Sequence, residues 1–240
     1  MTKAMLVSKT QVDPDYVDFI LDYEEPQDIQ TLEFYRNIQK DPEQLLIFIA
    51  RVSSPNQTNP DYSKLLRYCW KNSHFSVFEQ ISLTMEVETD LATSMQLLRH
   101  RSLFFQQLSR RYSSDNVEFV YIEAREQDSK NRQSSTDSLS PMDKAWFQVQ
   151  KQMIEAKAIT AYKEAIAKGI AKETARYLLP TSLKTKMYVT GNLRNFIHYI
   201  LVREKNGTQK EHVDLALAIK NQIKIHFPHT FNAVWEEGKE

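Results

Sequence analysis

Glycine is scarce in this sequence. Only Gly169, Gly191, Gly207 and Gly238 occur among 240 residues, so neither a G-x-G-x-x-G nor a G-x-x-x-x-G-K loop is present. Loops of these two types wrap backbone amide groups around phosphates. If this protein binds phosphate groups, side chains and helix ends must therefore hold them.

Cysteine is nearly absent. Cys69 is the only one, which excludes an internal disulfide and a zinc site made of several thiolates. It is spaced as on a helix with Leu65, Leu66 and Trp70, and no histidine lies within one turn of it. We therefore expect Cys69 to be a buried apolar residue rather than a nucleophile.

The chain also lacks an excess of either charge and a long apolar run. Lys+Arg and Asp+Glu both number 31, a balance that argues against a surface built to follow nucleic acid. The longest apolar run, 45–50, is too short to span a bilayer, and the first residues contain no apolar signal segment. We expect a cytoplasmic protein with neither nucleic-acid nor membrane partners, folded as a single domain over 1–240.

Capping residues and apolar periodicity predict most of the helices. Asp41 caps a helix that ends near Val52, and Ser140 caps a long helix that Gly169 ends. Asp90 caps a third helix, over 91–101. The apolar stripe of this third helix consists of Leu91, Met95 and Leu98. The other predicted helices cover 59–72, 173–179, 192–204 and 211–227.

Alternating patterns predict the strands. Apolar and polar residues alternate over 81–88, which predicts a strand with one buried face. Two further strands are predicted at 117–123 and 186–190. The remaining segments are predicted as an irregular acidic opening over 1–40, an irregular connection over 103–112 and a mobile surface loop over 125–140. Together these elements predict an α/β (α+β) fold, with a mixed sheet flanked by helices.

Cations are concentrated between residues 99 and 112. They are Arg99, His100, Arg101, Arg110 and Arg111. Amide and hydroxyl groups are interleaved with them, on Gln106, Gln107, Ser109 and Tyr112. A solvated charge run is the ordinary interpretation of adjacent arginines, but this mixture of groups is typical of a site for an anion and a heterocycle. Phe104 and Phe105 leave a base-stacking nucleic-acid patch open as an alternative, against which the neutral overall charge counts.

More arginines follow downstream. Arg176 precedes a proline, Arg194 and His198 lie four residues apart on one predicted helix face, and Arg203 follows about one turn later. Each of them alone is better explained as a surface arginine or a core histidine. Together with the 99–112 cluster they would form an electropositive cleft that needs no glycine.

Metal binding and serine catalysis are not indicated. His74 and Glu79 are five residues apart, which is not the spacing of helical metal ligands, and no further ligand supports them. Ser109 shares its segment with His100, but no acid is placed to orient a triad. We therefore predict no metal site.

The arginine-rich segment resembles a known signature. RHR at 99–101, followed after seven residues by Ser109 and by SxRY ending at Tyr112, is similar to the signature of flavin-dependent thymidylate synthases. Further motifs of that family occur in the same order over about residues 45–235. They are ARVS at 50–53, HxxxFE at 74–79, ARxxLP at 175–180, and NxR at 192–194 with Arg203 beyond it. Chance is a poor explanation for this ordered set.

The resemblance implies roles for individual residues. Arg203 would hold the uracil edge and favour ionisation at N3, which makes it the candidate catalytic residue, and Arg111 and Arg176 would lie nearest the substrate phosphate. The positions expected to contact flavin are Ser53, His74, Arg99, His100, Arg101, Gln107, Asn192, Arg194 and His198. The positions expected to contact dUMP are Gln96, Arg99, Gln107, Ser109, Arg110, Arg111, Arg176 and Arg203.

The resemblance also implies the reaction and the assembly. We expect dTMP to form from dUMP, with methylenetetrahydrofolate as the one-carbon donor, FADH2 as the hydride source and NADPH as the reductant of the flavin. The family fold has a largely antiparallel sheet. Its members are homotetramers with active sites at subunit interfaces, so Arg110 and Arg111 are expected to serve a neighbouring subunit. Two alternatives stay open: a relative acting on another pyrimidine deoxynucleotide such as dCMP, and a non-catalytic RNA-binding module.

Two positions depart from the pattern of the family. Gln107 replaces a glutamate found in some relatives, which changes the charge beside the flavin. Gly207 stands where some relatives have a histidine near the flavin, which would reshape that pocket.

Overall fold

The computed structural model describes residues 2–24, 28–59, 61, 63–114, 116–205 and 207–236. The strands are β1 (Lys3–Lys9), β2 (Ser82–Asp90), β3 (Phe104–Gln107), β4 (Glu126–Gln127), β5 (Ser135–Thr136) and β6 (Lys184–Asn192). The helices are α1 (Pro14–Glu24), α2 (Ile29–Ile38), α3 (Pro42–Ala50), α4 (Ser63–Lys71), α5 (Leu91–Leu97), α6 (Pro141–Ala167), α7 (Lys172–Ala175), α8 (Leu193–Arg203), α9 (Lys210–His226) and α10 (Pro228–Trp235). Short 3-10 helices cover Phe75–Glu79 and Arg176–Leu178.

The main sheet has four strands in the order β1-β2-β6-β3. Lys184 pairs with Glu88 at 3.1 Å and Lys186 with Glu86 at 3.1 Å, so residue numbers fall along β2 as they rise along β6. This register is antiparallel, and it puts four charged side chains on one face. The buried residues of the two strands include Leu83, Met85, Val87, Thr185, Met187 and Val189. The predicted α/β fold with a largely antiparallel sheet flanked by helices is confirmed.

The chain groups into two compact units. Unit 1 consists of Met1–Ala4, Glu86–Val189 and Tyr199–Ala218, and unit 2 of Met5–Met85, Thr190–His198 and Ile219–Glu240. Strands β1, β2 and β6 each contribute residues to both units. The single domain over 1–240 stays a prediction.

Unit 1 contains the long helix α6. Its N-cap is Ser140, whose hydroxyl accepts from the Asp143 N–H at 3.1 Å, and it ends before Gly169, whose φ is +79°. Both predicted ends are therefore confirmed. Tyr162 on α6 is buried in a cluster with Ala165 and Ala175, against which Val117, Ile166 and Leu179 pack. This cluster fixes α7 and the arginine-bearing turn after it.

Unit 2 is built around α3. Asp41 caps this helix as predicted, accepting from the Glu43 N–H at 2.9 Å. The buried Glu43 carboxylate accepts from the backbone N–H groups of Thr230 at 2.6 Å and His229 at 3.1 Å, and so caps α10. Burial raises the pKa of Glu43, although these hydrogen bonds oppose the shift. Cys69 is buried as predicted, which raises the pKa of its thiol.

Three segments predicted as irregular contain regular structure. The first 40 residues, expected to be irregular, form β1, α1 and α2, so that prediction was wrong. Segment 103–112 includes β3, which joins the main sheet. Segment 125–140, predicted as a mobile loop, carries the antiparallel pair β4 and β5, and the Asp128 carboxylate accepts from two N–H groups in the turn between them. Short polar strands of this kind lack the apolar alternation that predicts a strand.

Other predicted elements were wrong in detail. Segment 117–123 is not a strand, since Phe119 makes only an isolated bridge to Leu183. Helix α4 begins at Ser63 instead of 59, while the predicted start at Pro60 lies outside the described residues. Helix α10 was not predicted, although Pro228 in its first turn is a typical start signal.

The predicted apolar stripe of α5 is also wrong. Asp90 caps α5 as expected, accepting from the Thr93 N–H at 2.8 Å. However, Met95 and Leu98 are 53% and 40% exposed, and the helix buries Thr93, Ser94 and Leu97 instead. Polar residues take the inward face because they have partners there: the Ser94 hydroxyl donates to the Leu91 carbonyl at 2.9 Å.

No membrane-spanning element is found in the described ranges. Among their helices, none combines the length and the apolar composition that crossing a bilayer requires.

Candidate functional site

The RHR segment lies directly after α5, in unit 1. Arg99 and Arg101 are exposed, and their guanidinium groups form no hydrogen bond or ion pair with any described residue. Between them, His100 is half-buried and accepts from Arg203 Nε, with 2.7 Å between that atom and His100 Nε2. Two cations without a partner among the described residues therefore flank a histidine that Arg203 contacts, and they could meet an anionic ligand.

The contact between Arg203 and His100 fixes the protonation of the imidazole. A guanidinium group can only donate, so His100 Nε2 must accept and its ring hydrogen sits on Nδ1. The ring packs edge-on against Tyr199, with 4.8 Å between ring centroids. Tyr199 is fully buried, and burial raises the pKa of its phenol, which therefore stays protonated.

A chain of polar side chains runs from the same region to α9. His212 Nδ1 lies 3.1 Å from Gln96 Oε1, and Gln96 Nε2 donates to Gln209 Oε1. Gln209 Nε2 donates to Glu211 at 2.9 Å. Glu211 also binds Arg125, with 2.8 Å and 2.9 Å between their nitrogen and oxygen atoms. Four of these five residues were not predicted as site residues, because nothing in the sequence marks them as partners of Gln96.

His212 is neutral in this environment. It is fully buried, and burial, then the charge of Arg203 and the nearby His100, lower its pKa to about 3. Its Nε2 atom has no hydrogen-bond partner among the described residues. A neutral ring carries one hydrogen, so only one of its nitrogen atoms can donate.

Gln107 has a fixed orientation. Its Nε2 donates to the Ser94 hydroxyl at 3.1 Å and to the Thr185 hydroxyl at 3.1 Å. Both amide hydrogens are therefore used within the protein. The side-chain carbonyl oxygen of Gln107 remains as the group that a ligand can meet, and it can only accept.

A second group of cations lies near α7. Ser109, Arg111 and Glu173 line a cavity of about 430 Å³ with Tyr112, Ala171 and Lys172. The Arg111 guanidinium forms an exposed ion pair with Glu173 at 3.1 Å. Arg176 donates through Nε to the Glu173 carbonyl at 3.2 Å, which leaves the outer edge of its guanidinium for a ligand. The cavity lining thus includes a guanidinium group, an ammonium group and a hydroxyl group, on Arg111, Lys172 and Ser109, a combination that suits a phosphate group.

Arg110 is placed differently from its neighbours. Its side chain is buried and donates to the Asn116 carbonyl at 3.0 Å. It lines another cavity, of about 380 Å³, together with Glu88, Glu118 and Lys184. Its predicted contact with substrate stays a prediction.

The other predicted flavin contacts lie in unit 2. Ser53, His74, Arg194 and His198 are exposed, and the Asn192 carboxamide oxygen accepts from the Asn195 N–H at 2.9 Å at the start of α8. Arg194 forms a hydrogen-bonded ion pair with Glu79 and lies over the Phe75 ring, 5.2 Å from its centroid. The glutamate of the HxxxFE motif thus positions the arginine of the NxR motif. This partnership between two motifs was not predicted.

Gly207 adopts a backbone conformation that favours glycine. Its φ is +89°, and an added Cβ would approach Asn131 Nδ2 to 3.6 Å. The space is adequate, but the left-handed conformation costs a side-chain-bearing residue about 1–2 kcal/mol. The glycine at position 207, where some relatives have a histidine, therefore suits the backbone conformation of this turn, and a histidine would strain it.

Comparison with known proteins gives the class of this chain. The family model described as "Thymidylate synthase complementing protein" matches residues 35–229, which places the chain in that class of enzymes. The flavin-dependent thymidylate synthase of Synechocystis sp. is 47% identical over 187 residues, covering 78% of this chain and 86% of the relative. The probable flavin-dependent thymidylate synthase of Paramecium bursaria Chlorella virus 1 is 43% identical over 194 residues, covering 80% and 90%.

A solved structure supports the fold. The UMP/dUMP methylase PolB of Streptomyces cacaoi, bound with 5-Br UMP, matches with a TM-score of 0.75 and 22% identity, covering 97% of this chain and 93% of that one. The chain belongs to the flavin-dependent thymidylate synthase family, and the resemblance carried by the RHR motif is confirmed.

The low pKa of His212 predicts a pH-dependent stability. An ordinary histidine has a pKa of 6.5 and this one titrates at about 3, so between these values the unfolded chain binds more protons. The free energy of unfolding should therefore fall as the pH is lowered through this window, by at most about 1.4 kcal/mol per pH unit for one group. The contribution is fully present above pH 6.5.

Urea unfolding at pH 6.5 and pH 5 measures this effect. The wild type should lose about 1.5–2 kcal/mol more than His212→Asn, which cannot titrate. His198→Asn, which removes an exposed histidine, serves as the control and should lose stability as the wild type does. Equal losses in wild type and His212→Asn would contradict a neutral buried His212.

Proposed function

We propose that this enzyme makes dTMP from dUMP, with methylenetetrahydrofolate as the one-carbon donor. Reduced FAD, when bound, supplies the hydride that completes the methyl group, and NADPH reduces it beforehand. The observation that carries the proposal is the Arg203–His100 contact of 2.7 Å beside Arg99 and Arg101, whose guanidinium groups pair with no described residue. Family membership adds the class of reaction.

The residues present fit FAD. A dinucleotide pyrophosphate needs cations or backbone amide groups, and this sequence has too few glycines for a backbone cradle. The exposed guanidinium groups of Arg99 and Arg101 meet that need, since no described residue neutralises them. In unit 1 the residues that would hold the flavin are Arg99, His100, Arg101 and Gln107. The contacts expected from Ser53, His74, Asn192, Arg194 and His198 stay predictions.

The cavity lined by Ser109 and Arg111 would bind the substrate phosphate. In the protein alone Arg111 is paired with Glu173, and both side chains are more than half exposed, so the pair is weak. A phosphate carries more charge than a carboxylate and would replace Glu173 as the partner of the Arg111 guanidinium. The Arg176 guanidinium would donate further hydrogen bonds to the same phosphate.

Arg203 would activate the pyrimidine electrostatically. His100 accepts from Arg203 Nε and so holds the guanidinium in one orientation while leaving its Nη groups to donate to the uracil edge. Donation to an oxygen or nitrogen that gains negative charge stabilises the transition state more than the ground state. The only cysteine, Cys69, is buried with a raised pKa, which suits activation without a thiolate.

An Arg203→Ala variant tests this role. A single charge-stabilising donor typically contributes about 10²–10³ in rate, so kcat for dTMP formation should fall by at least about that factor. Flavin binding should remain, because other residues hold the cofactor. Arg36→Ala, at an exposed arginine of α2, is the matched control and should keep wild-type turnover.

Turnover is followed by tritium release from C5-labelled dUMP, with dCMP in parallel. Release from dUMP supports the proposal, and release from dCMP alone would replace the substrate. Wild-type rates in Arg203→Ala would remove Arg203 from the mechanism. Salt-dependent RNA affinity without retained flavin would favour the RNA-binding alternative, against which membership of an enzyme family counts.

We infer a homotetramer in which α6 contacts another copy. Met142, Trp146, Val149 and Met153 are spaced by four, three and four residues and are between 52% and 77% exposed. This stripe lies opposite the face of α6 that buries Tyr162, and its spacing is that of a helix–helix seam. A second copy of the chain would cover it, and active sites would then form at subunit interfaces.

Charge placed in this stripe should disrupt the assembly. Trp146→Glu would bury an unpaired carboxylate in the seam, so sedimentation should show a species smaller than the wild type. Lys163→Glu changes an exposed residue of α6 beyond the stripe and should leave the assembly unchanged. An unchanged Trp146→Glu oligomer, or a monomeric wild type, would contradict the inference.

A further inference from the structure

Glu211 determines which groups donate and which accept along the hydrogen-bond chain that contains Gln96; we call this direction the polarity of the chain. Glu211 is a carboxylate that can only accept, and it accepts from Arg125 through both oxygens. It also accepts from Gln209, at 2.9 Å. Gln209 must therefore turn its NH2 group toward Glu211, which leaves its carbonyl oxygen facing Gln96.

This polarity propagates through Gln96 to His212. Because Gln209 presents a carbonyl oxygen, Gln96 must donate its N–H to that atom. Gln96 then presents its own carbonyl oxygen to His212 Nδ1, 3.1 Å away. Two acceptors cannot bond, so Nδ1 must carry the hydrogen of the neutral ring. The opposite nitrogen, Nε2, ends the chain as a bare acceptor without a partner among the described residues.

Both ends of this hydrogen-bond chain are shielded from water. The Arg125 and Glu211 side chains are 13% and 9% exposed, and His212 is fully buried. Reversing the Gln96 amide would turn its oxygen against the Gln209 oxygen, so that two acceptors would face each other, and would require the His212 hydrogen to move from Nδ1 to Nε2. The observed orientation satisfies both hydrogen bonds and is therefore favoured.

We propose that the Arg125–Glu211 ion pair, acting through Gln209 and His212, is a positioning device that locks the Gln96 amide in one orientation for the nucleotide substrate. This proposal rests on the proposed function and on the contact between Gln96 and dUMP that the family resemblance implies. A free glutamine can present either its donor or its acceptor edge, and ordering it on binding costs conformational entropy. The locked amide presents one pattern before the substrate arrives. Arg125, Gln209, Glu211 and His212 act only through Gln96 and are positioning residues.

The tautomer of His212 reports the polarity without any substrate. In the flavin-loaded enzyme with ¹⁵N-labelled histidine, two-bond nitrogen–proton spectra distinguish Nδ1–H from Nε2–H rings. The His212 signal is assigned by its loss in His212→Asn. A neutral Nδ1–H ring from pH 5.5 to pH 8 is expected. An Nε2–H ring, or a charged one, would overturn the proposal, and this result does not depend on how any variant folds.

Variants test whether the fixed orientation of Gln96 affects the affinity for dUMP. Glu211→Gln keeps the shape but can also donate, so a second tautomer of His212 should appear and the Kd for dUMP should rise about five- to tenfold, the worth of one well-oriented hydrogen bond. His212→Leu should weaken dUMP binding to the same extent. His212→Asn, whose amide places an N–H near the position of Nδ1, should bind dUMP like the wild type.

The outcomes separate the two proposals. If Glu211→Gln and His212→Leu both bind dUMP with wild-type affinity, the proposed positioning of Gln96 is overturned. Equally weak dUMP binding by His212→Asn and His212→Leu would also overturn it. If the wild-type enzyme binds no dUMP, the proposed substrate is refuted, while the tautomer of His212 still decides whether the hydrogen-bond chain runs from Arg125 to His212 with the proposed polarity.

Discussion

The Arg125–Glu211 ion pair is the interaction on which the order of unit 1 around Gln96 depends. It joins a residue of the connection before β4 to the first turn of α9, and both side chains are largely buried. Burial alone would raise the pKa of Glu211, but hydrogen bonds from Arg125, Gln209 and its own backbone N–H lower it overall. Glu211 therefore stays ionised at neutral pH and acts as a permanent acceptor. Donors and acceptors are consequently assigned along Gln209, Gln96 and His212 without any contribution from a ligand.

The scarcity of glycine determines the kind of site this family member can have. Glycine-rich loops of the two common types are absent from the sequence, so side chains and helix ends would hold any phosphate, and a cation in such a site needs a partner that orients it. Arg203 is held by His100, Arg194 by Glu79 and Arg111 by Glu173. Arg99 and Arg101 have no partner among the described residues. The held arginines provide orientation, whereas the two unpaired ones keep unbalanced positive charge for an incoming anion.

Local signals in the sequence predicted the parts of the fold that depend on local physics. The caps Asp41, Asp90 and Ser140 are confirmed because a side chain two or three residues away can satisfy a free N–H. The strand β2 is confirmed because its alternating apolar and polar residues match a sheet with one buried face. β3 and the inward face of α5 were missed, since the pairing of β3 beside β6 and the hydrogen bond from Gln107 to Ser94 join segments that no local pattern connects. The motifs that carry the family were visible in the sequence, but the partners that orient them were not. Gln96 and His212 are 116 residues apart, and Arg125 and Glu211 are 86 apart, so only the folded chain brings them together.

One titration decides whether flavin and dUMP share a site in this enzyme. The visible absorption spectrum of the protein loaded with FAD is recorded while dUMP is added, with dCMP as the comparison. The proposed function predicts bound flavin whose bands shift saturably with dUMP and not with dCMP. A protein that binds no FAD, or flavin bands that dUMP leaves unchanged, would contradict a shared site for the two ligands.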